Sequence, residues 1–249
     1  MISAHPERFW LTRVTLPVAA TVALSIAVPY AASALAHLAL RLIQSAQVSI
    51  LAWLYVQHGF QLLLALLAIA ILRRRVPADY GLHWPRGKTY FAEAMVGGAF
   101  FGVLMTVVDY APQLLAHIPP VLDYKLTTPN VSGWLFFEGV YVGPTEEIPF
   151  RALLVTFLAA TMPGRIRVGR FEMNWAGVVV AVIFALLHAT NFATRPWPLA
   201  LGQQLYAFAL GVLYAYWLEK SRSIVAPIIG HNVSDVVEYA LLFLWVALA

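Results

Sequence analysis

Three short runs of this 249-residue chain set ionisable side chains among apolar neighbours. The first is Pro144-Thr145-Glu146-Glu147-Ile148-Pro149-Phe150-Arg151. On a helix, Glu147 and Arg151 stand four residues apart and share a face, which suits an ion pair. Glu146 then points elsewhere, and a desolvated carboxylate beside a like charge can serve as a general base toward water. The alternative is a packing ion pair at a proline kink, but packing needs only one glutamate. The second run ends at His188, four residues after Phe184. A lone histidine on an apolar helix is commonly a hydrogen-bonded packing residue, so its chemistry depends on its company. The third is His231-Asn232-Val233-Ser234-Asp235. There a carboxylate four residues from an imidazole can fix its tautomer and raise its basicity. Gly230, Asn232 and Ser234 could equally start a final helix after a break.

The elements that carry these residues are transmembrane helices. The chain is 61% hydrophobic and 11% charged, with a mean hydropathy of +0.75. A soluble domain carries about 25% charged residues, and a globule of this size needs a polar surface. Apolar runs long enough to span a bilayer are expected near 14–40, 48–72, 90–108, 133–160, 175–190, 198–218 and 224–248. The fold class is therefore an all-α, polytopic transmembrane bundle of seven helices, or eight if the last run is split near His231. Residues 1–249 form one membrane domain. Arg13, Val14–Val28 and the small-residue run Ala31–Ala36 resemble a signal peptide, but the apolar stretch is long for one, and a retained first helix is the preferred reading. Asp109–Ser132 reads as an outer loop, and its Pro119, Pro120 and Pro129 argue against a continuous helix there. Cysteine is absent, which excludes disulfides, thiolate metal sites and a cysteine nucleophile.

Basic residues set the orientation. With the N-terminus cytoplasmic, the inner segments hold Arg8, Arg13, Arg73, Arg74, Arg75, Arg86, Lys88, Arg165, Arg167, Arg170, Lys220 and Arg222. The outer segments hold Arg41, Lys125 and Arg195, and Arg151 lies within a span. The 12 to 3 bias favours an N-inside protein of a bacterial inner (plasma) membrane. The net charge of +4 is thus a matter of topology and points to no nucleic-acid partner. At 1.5 Å per residue, Glu146 lies roughly 21 Å, His188 roughly 20 Å and Asp235 roughly 16 Å from the cytoplasmic ends of their spans. His231 is shallower, at roughly 10 Å. A shared depth is what one buried site requires, and these depths suggest an entrance from the cytoplasmic side.

In this order, Glu146-Glu147-x-x-x-Arg151, Phe184-x-x-x-His188 and His231-x-x-x-Asp235 resemble the CPBP family of intramembrane proteases, which includes CAAX prenyl proteases and bacteriocin-processing proteins. The resemblance covers a catalytic core at 133–240. It implies that Glu146 and His188 activate the attacking water. His231 and Asp235 would stabilise the oxyanion or orient the substrate, and Glu147, Arg151 and Phe184 would support the site. The substrate would be a membrane-associated protein or peptide, prenylated or leader-bearing, met in contact with membrane lipid. The cofactor stays open. Glu146, Glu147, His188 and His231 could hold zinc or another divalent metal, or act without one. Prenyl proteases usually carry asparagine at the position of Asp235. Aspartate there favours orienting His231 or a metal, and weakens the expectation of strict prenyl-protein specificity. Two other functions compete with the protease. A proton-coupled transporter would use the same buried groups as a relay, although such carriers often show duplicated halves. A non-proteolytic immunity or assembly factor could keep the fold alone.

Overall fold

The computed structural model describes residues 14–43, 48–162 and 164–249. Arg8 and Arg13, counted above among the basic residues, lie outside them. The elements are α1 (Leu16–Leu42), α2 (Ile50–Leu72), α3 (Phe91–Asp109) and the short α4 (Ala111–Ala116). A composite helical run follows, made of α5 (Thr128–Phe136), a π-helical turn (Phe137–Tyr141), α6 (Val142–Glu147), a second π-helical stretch (Ile148–Val155) and α7 (Thr156–Thr161). Next come the antiparallel hairpin β1 (Arg165–Val168) and β2 (Phe171–Asn174), then α8 (Trp175–Leu187), a 3-10 helix (His188–Ala193), α9 (Trp197–Ser221) and α10 (Val225–Leu248).

The molecule is a helical membrane protein. Among the described residues, five helices are long and apolar enough to cross a bilayer: Leu16–Leu42, Ile50–Leu72, Phe91–Asp109, Trp175–Ala193 and Val225–Leu248. The expected spans at 133–160 and 198–218 fall on the composite run and on α9, which are helical but not among those five. No break occurs near His231. Helix α10 runs unbroken because its polar residues are engaged sideways. Asn232 accepts the Gly143 amide at 2.8 Å, and Ser234 donates to the carbonyl of His231 at 2.7 Å. As expected, no continuous helix spans Asp109–Ser132, although the short α4 and the start of α5 lie within it. Pro112 and Pro129 sit in the first turns of α4 and α5, where a missing N–H costs nothing.

The lipid-facing surface is legible on α3. Val96, Phe100, Val103 and Val107 form an exposed apolar stripe, while Gly98, Gly102, Met105 and Thr106 face inward. Such a polarity suits lipid as solvent. The inward stripe carries Gly98-x-x-x-Gly102, and it lets α3 lie directly on α10. A Cβ at Gly98 would stand 2.6 Å from the Gly230 carbonyl, and one at Gly102 2.7 Å from the Val237 Cβ. This approach fixes the helix that bears His231 and Asp235.

The two ends of the bundle are distinguishable. At one end the loop after α2 joins the α9–α10 turn: the Ile224 amide donates to the Gly81 carbonyl at 3.0 Å. The hairpin joins the same end, where the Asn174 amide donates to Glu219 at 2.7 Å. At the opposite end Arg195 pairs with Asp109 at 3.2 Å.

Candidate active site

Two prolines shape the helix that carries the double glutamate. Pro149 leaves the Thr145 carbonyl without its helical partner. Gln61 of α2 reaches across and donates to that carbonyl at 3.0 Å. Pro144 precedes the glutamates, and the run passes into a π-helical stretch at Ile148. Such departures from α geometry recur at functional sites. Gly143 allows α10 to come close, since a Cβ there would stand 3.0 Å from the Ile228 carbonyl. The fourth expected span is thus tied on both sides, to α2 by Gln61 and to α10 by Asn232.

Glu147 is fully buried and Arg151 is 1% exposed, and they pair at 3.0 Å. The same Glu147 oxygen, Oε1, lies 2.7 Å from His231 Nδ1. Arg151 is further enclosed by aromatic faces, 4.3 Å from the centroid of Phe184 and 5.3 Å from that of Tyr214. Cation–π contacts of this kind favour a guanidinium over an ammonium. Phe184 thus touches the ion pair on one side, and His188 packs against its ring at 5.2 Å.

His231 is held from every direction. Nδ1 faces Glu147, while Nε2 stands 3.2 Å from Asp235 and 3.8 Å from Glu146. Tyr214 stacks on the ring at 5.7 Å and is 3.2 Å from the Ser234 hydroxyl. Ser234 is also 3.0 Å from Asp235 Oδ1. Both imidazole nitrogens therefore face carboxylate oxygens, an arrangement that a doubly protonated ring satisfies.

Glu146 points away from Glu147 and is the more exposed of the two. Its Oε1 is 3.3 Å from Nε2 of His58, on α2. His58 in turn uses Nδ1 on the Leu54 carbonyl at 3.0 Å. His188 stands where α8 passes into the 3-10 helix, with Nδ1 3.0 Å from the Phe184 carbonyl. Its Nε2 has no hydrogen-bond partner among the described residues. Glu146, His188, His231 and Asp235 all line one cavity of about 350 Å³, together with His58.

The cavity leads toward Asp109, Tyr110 and Arg195. Those residues lie at the end of the bundle opposite the loop after α2 and the hairpin. Sequence reasoning also passed over His58, Asp109, Glu138 and Glu238, all of which line the cavity. Each is an ionisable residue in or at the end of an apolar run, the same signal that singled out the other three places. None has a local partner at helical spacing to draw attention.

The four side chains Glu146, Glu147, His188 and His231 do not fit a divalent ion as they stand. Glu147 is committed to Arg151 and His231, and both nitrogens of His231 face carboxylates. Among the described residues no three His, Cys, Asp or Glu side chains converge in a way that would hold a metal.

Residues 128–237 match the family model of the type II CAAX prenyl endopeptidases, Rce1-like. The matched segment starts at α5 and ends within α10, so it contains the composite helix, His188, His231 and Asp235, and it leaves out His58. Comparisons with curated proteins and with solved structures find no match.

Proposed function

We infer, from the premise that residues 128–237 belong to the CAAX prenyl protease family in its Rce1-like branch, that this membrane protein is an endopeptidase whose reaction centre is the cavity between Glu146, His188 and His231. The observation that carries the reading is the convergence of these three side chains and Asp235 on one cavity inside an apolar bundle. The substrate is a membrane-associated protein or peptide, prenylated or leader-bearing, admitted to the cavity in an extended conformation.

In this mechanism Glu146 takes a proton from water, and the water oxygen bonds to the scissile carbonyl carbon. His188 gives its Nδ1–H to the Phe184 carbonyl, so its Nε2 carries the lone pair and accepts a hydrogen bond from the attacking water, holding it for Glu146. His231, bracketed by Glu147 and Asp235, supplies positive charge beside Glu146. The C–N bond then breaks, and Glu146 returns its proton to the leaving amine. Asp235 orients His231 and is not a donor to the oxyanion. Glu147, paired with Arg151, holds the imidazole in place, and Phe184 packs between Arg151 and His188. No step is routed through a metal.

The distribution of basic residues supports a topology with the N-terminus and the Arg73–Lys88 and Arg165–Arg170 segments on the cytoplasmic side of a bacterial inner membrane. Because the chain lacks cysteine, single cysteines at Arg86 and Lys125 can be labelled from one side at a time. Labelling of both from the same side would refute the topology. For the activity, membrane proteins should be compared by mass spectrometry between cells making the wild type and cells making Glu146→Ala. Accumulation of uncleaved precursors in the variant is expected. Identical profiles would count against the protease reading.

A further inference from the structure

Two glutamates in the cavity play no part in the proposed reaction. Glu138 lies in the first π-helical turn and is 6% exposed; Glu238 lies on α10 and is 8% exposed. Both line the cavity. Neither makes a hydrogen bond or ion pair to any described residue.

Their placement is regular. Glu138 precedes Glu146 by eight residues on one helical run, about 12 Å along the axis. Glu238 follows His231 by seven residues on α10, about 10 Å along its axis. Both therefore stand two turns from the reaction centre, displaced in the same direction, toward Asp109. Around them the wall is aromatic. Trp134 and Tyr239 stack at 5.2 Å, and Tyr110 lines the same space.

Acidic side chains outnumber basic ones in the cavity lining. Five carboxylates line it: Asp109, Glu138, Glu146, Asp235 and Glu238. Against them stand one guanidinium, Arg195, and the imidazoles of His58, His188 and His231. Even with every imidazole protonated, an acid is in excess. Arg195 is engaged with Asp109 at 3.2 Å, and Tyr206 adds its hydroxyl to the same oxygen at 3.0 Å. That cation does not serve Glu138 through any ion pair.

Buried carboxylates without a partner, set against aromatic faces, are the surroundings that a desolvated ammonium or guanidinium prefers. We propose that Glu138 and Glu238, with Trp134 and Tyr239, form a specificity subsite that takes a lysine or arginine side chain of the peptide substrate. An extended chain advances about 3.3 Å per residue. The displacement of 10–12 Å, shortened by the reach of a long basic side chain, puts that residue two to four positions from the scissile bond.

This subsite rests on the endopeptidase reading, and two measurements separate the two. The first uses the full chain in nanodiscs and a proteome-derived peptide library, with products read by mass spectrometry. The wild type should show lysine and arginine enriched about tenfold over leucine at one position within the stated window. In the variant Glu138→Gln, Glu238→Gln that ratio should fall toward one, and Glu138→Lys should favour an acidic residue at the same position. A wild-type profile without basic enrichment in the window would overturn the subsite while leaving the protease intact. The second measurement needs no cleavage. Agmatine, a guanidinium on a four-carbon amine chain, is titrated calorimetrically into the Glu146→Gln protein, with pentanol as the uncharged control. Agmatine affinity should drop at least tenfold when Glu138→Gln and Glu238→Gln are added, or when Glu238→Gln is added alone if the triple variant does not fold. Equal affinity with and without the two glutamates would overturn the proposal, whether or not the wild type cleaves anything.

Discussion

Glu147 and His231 come from helices 84 residues apart in sequence and meet at 2.7 Å, with the carboxylate fully buried. The same oxygen holds Arg151 at 3.0 Å. One carboxylate thus ties the composite helix to α10 and sets the plane of the imidazole.

Replacing Glu147 with glutamine leaves Arg151 buried without a counter-charge. Breaking a buried pair in this way costs about 3–5 kcal/mol. The unfolding midpoint of Glu147→Gln in detergent should fall well below that of the wild type. The double variant Glu147→Gln, Arg151→Met should recover part of the loss, because it removes the orphaned charge. Arg151→Lys should not substitute for arginine, since an ammonium cannot stack on Phe184 in the same way.

Gln61 and Pro149 form a second test. Gln61→Leu should destabilise the protein by about 1–3 kcal/mol, because the buried Thr145 carbonyl loses its donor. Pro149→Ala restores a backbone N–H within the helix. Added to Gln61→Leu, it should return part of that stability. Additive losses in the double variant would show that the two residues do not serve the same carbonyl.

The close approach of α3 to α10 should tolerate no added volume. Gly102→Val would drive a side chain against Ser234 and Val237. A loss of about 1–3 kcal/mol is expected from such overpacking, with reduced cleavage because Ser234 and Asp235 move. Val103→Leu, on the lipid-facing side, should leave both thermal midpoint and cleavage near wild type.

The loop at the basic end carries a pH-dependent clip. His83 Nε2 is 2.9 Å from Asp79, and the His83 carbonyl accepts the Ser223 hydroxyl at 2.5 Å. The His83 pKa is raised, first by its hydrogen bond to the Trp84 carbonyl and then by Asp79. Burial works to raise Asp79, but the hydrogen bonds from His83 and the Gly81 amide outweigh it and leave its pKa lowered. The His83 contribution is complete below the ordinary histidine value and is lost as pH rises through the raised one. The Asp79 contribution is present above the ordinary aspartate value and is lost as pH falls through the lowered one. The clip should therefore be tightest between those limits. Amide-exchange protection factors at Ile224, whose N–H donates to Gly81, should decline from pH 6 to pH 8.5. In His83→Gln they should be flat across that range.

Part of this site was readable from spacing alone. Glu147 and Arg151 are four residues apart, as are His231 and Asp235, and both pairs meet as helical geometry requires. The placement of Glu146, His188 and Asp235 at similar depth also corresponds to a shared cavity. What spacing could not supply is contact across the bundle. His58 reaches Glu146 from 88 residues away, and no periodicity within α2 announces that partner. Glu138 and Glu238 lie alone in their turns for the same reason. The alternative of a break near His231 rested on Gly230, Asn232 and Ser234 acting as caps. Their polar groups are instead used against Gly143, Tyr214 and their own helix, so the helix continues. The count of spans was blurred where helices combine polar residues with π-helical turns, as at 128–161. Apolarity there is traded for the groups that build the site.

The central claim is that Glu146 activates water inside the bundle. The most direct measurement is the rate of peptide cleavage by purified full-length protein in liposomes, wild type against Glu146→Gln, on a peptide from the library profile. Glutamine keeps the shape of the side chain but cannot take the proton. A fall in kcat of about 10²- to 10⁴-fold is expected, with the thermal midpoint little changed. Cleavage by Glu146→Gln at the wild-type rate would contradict it.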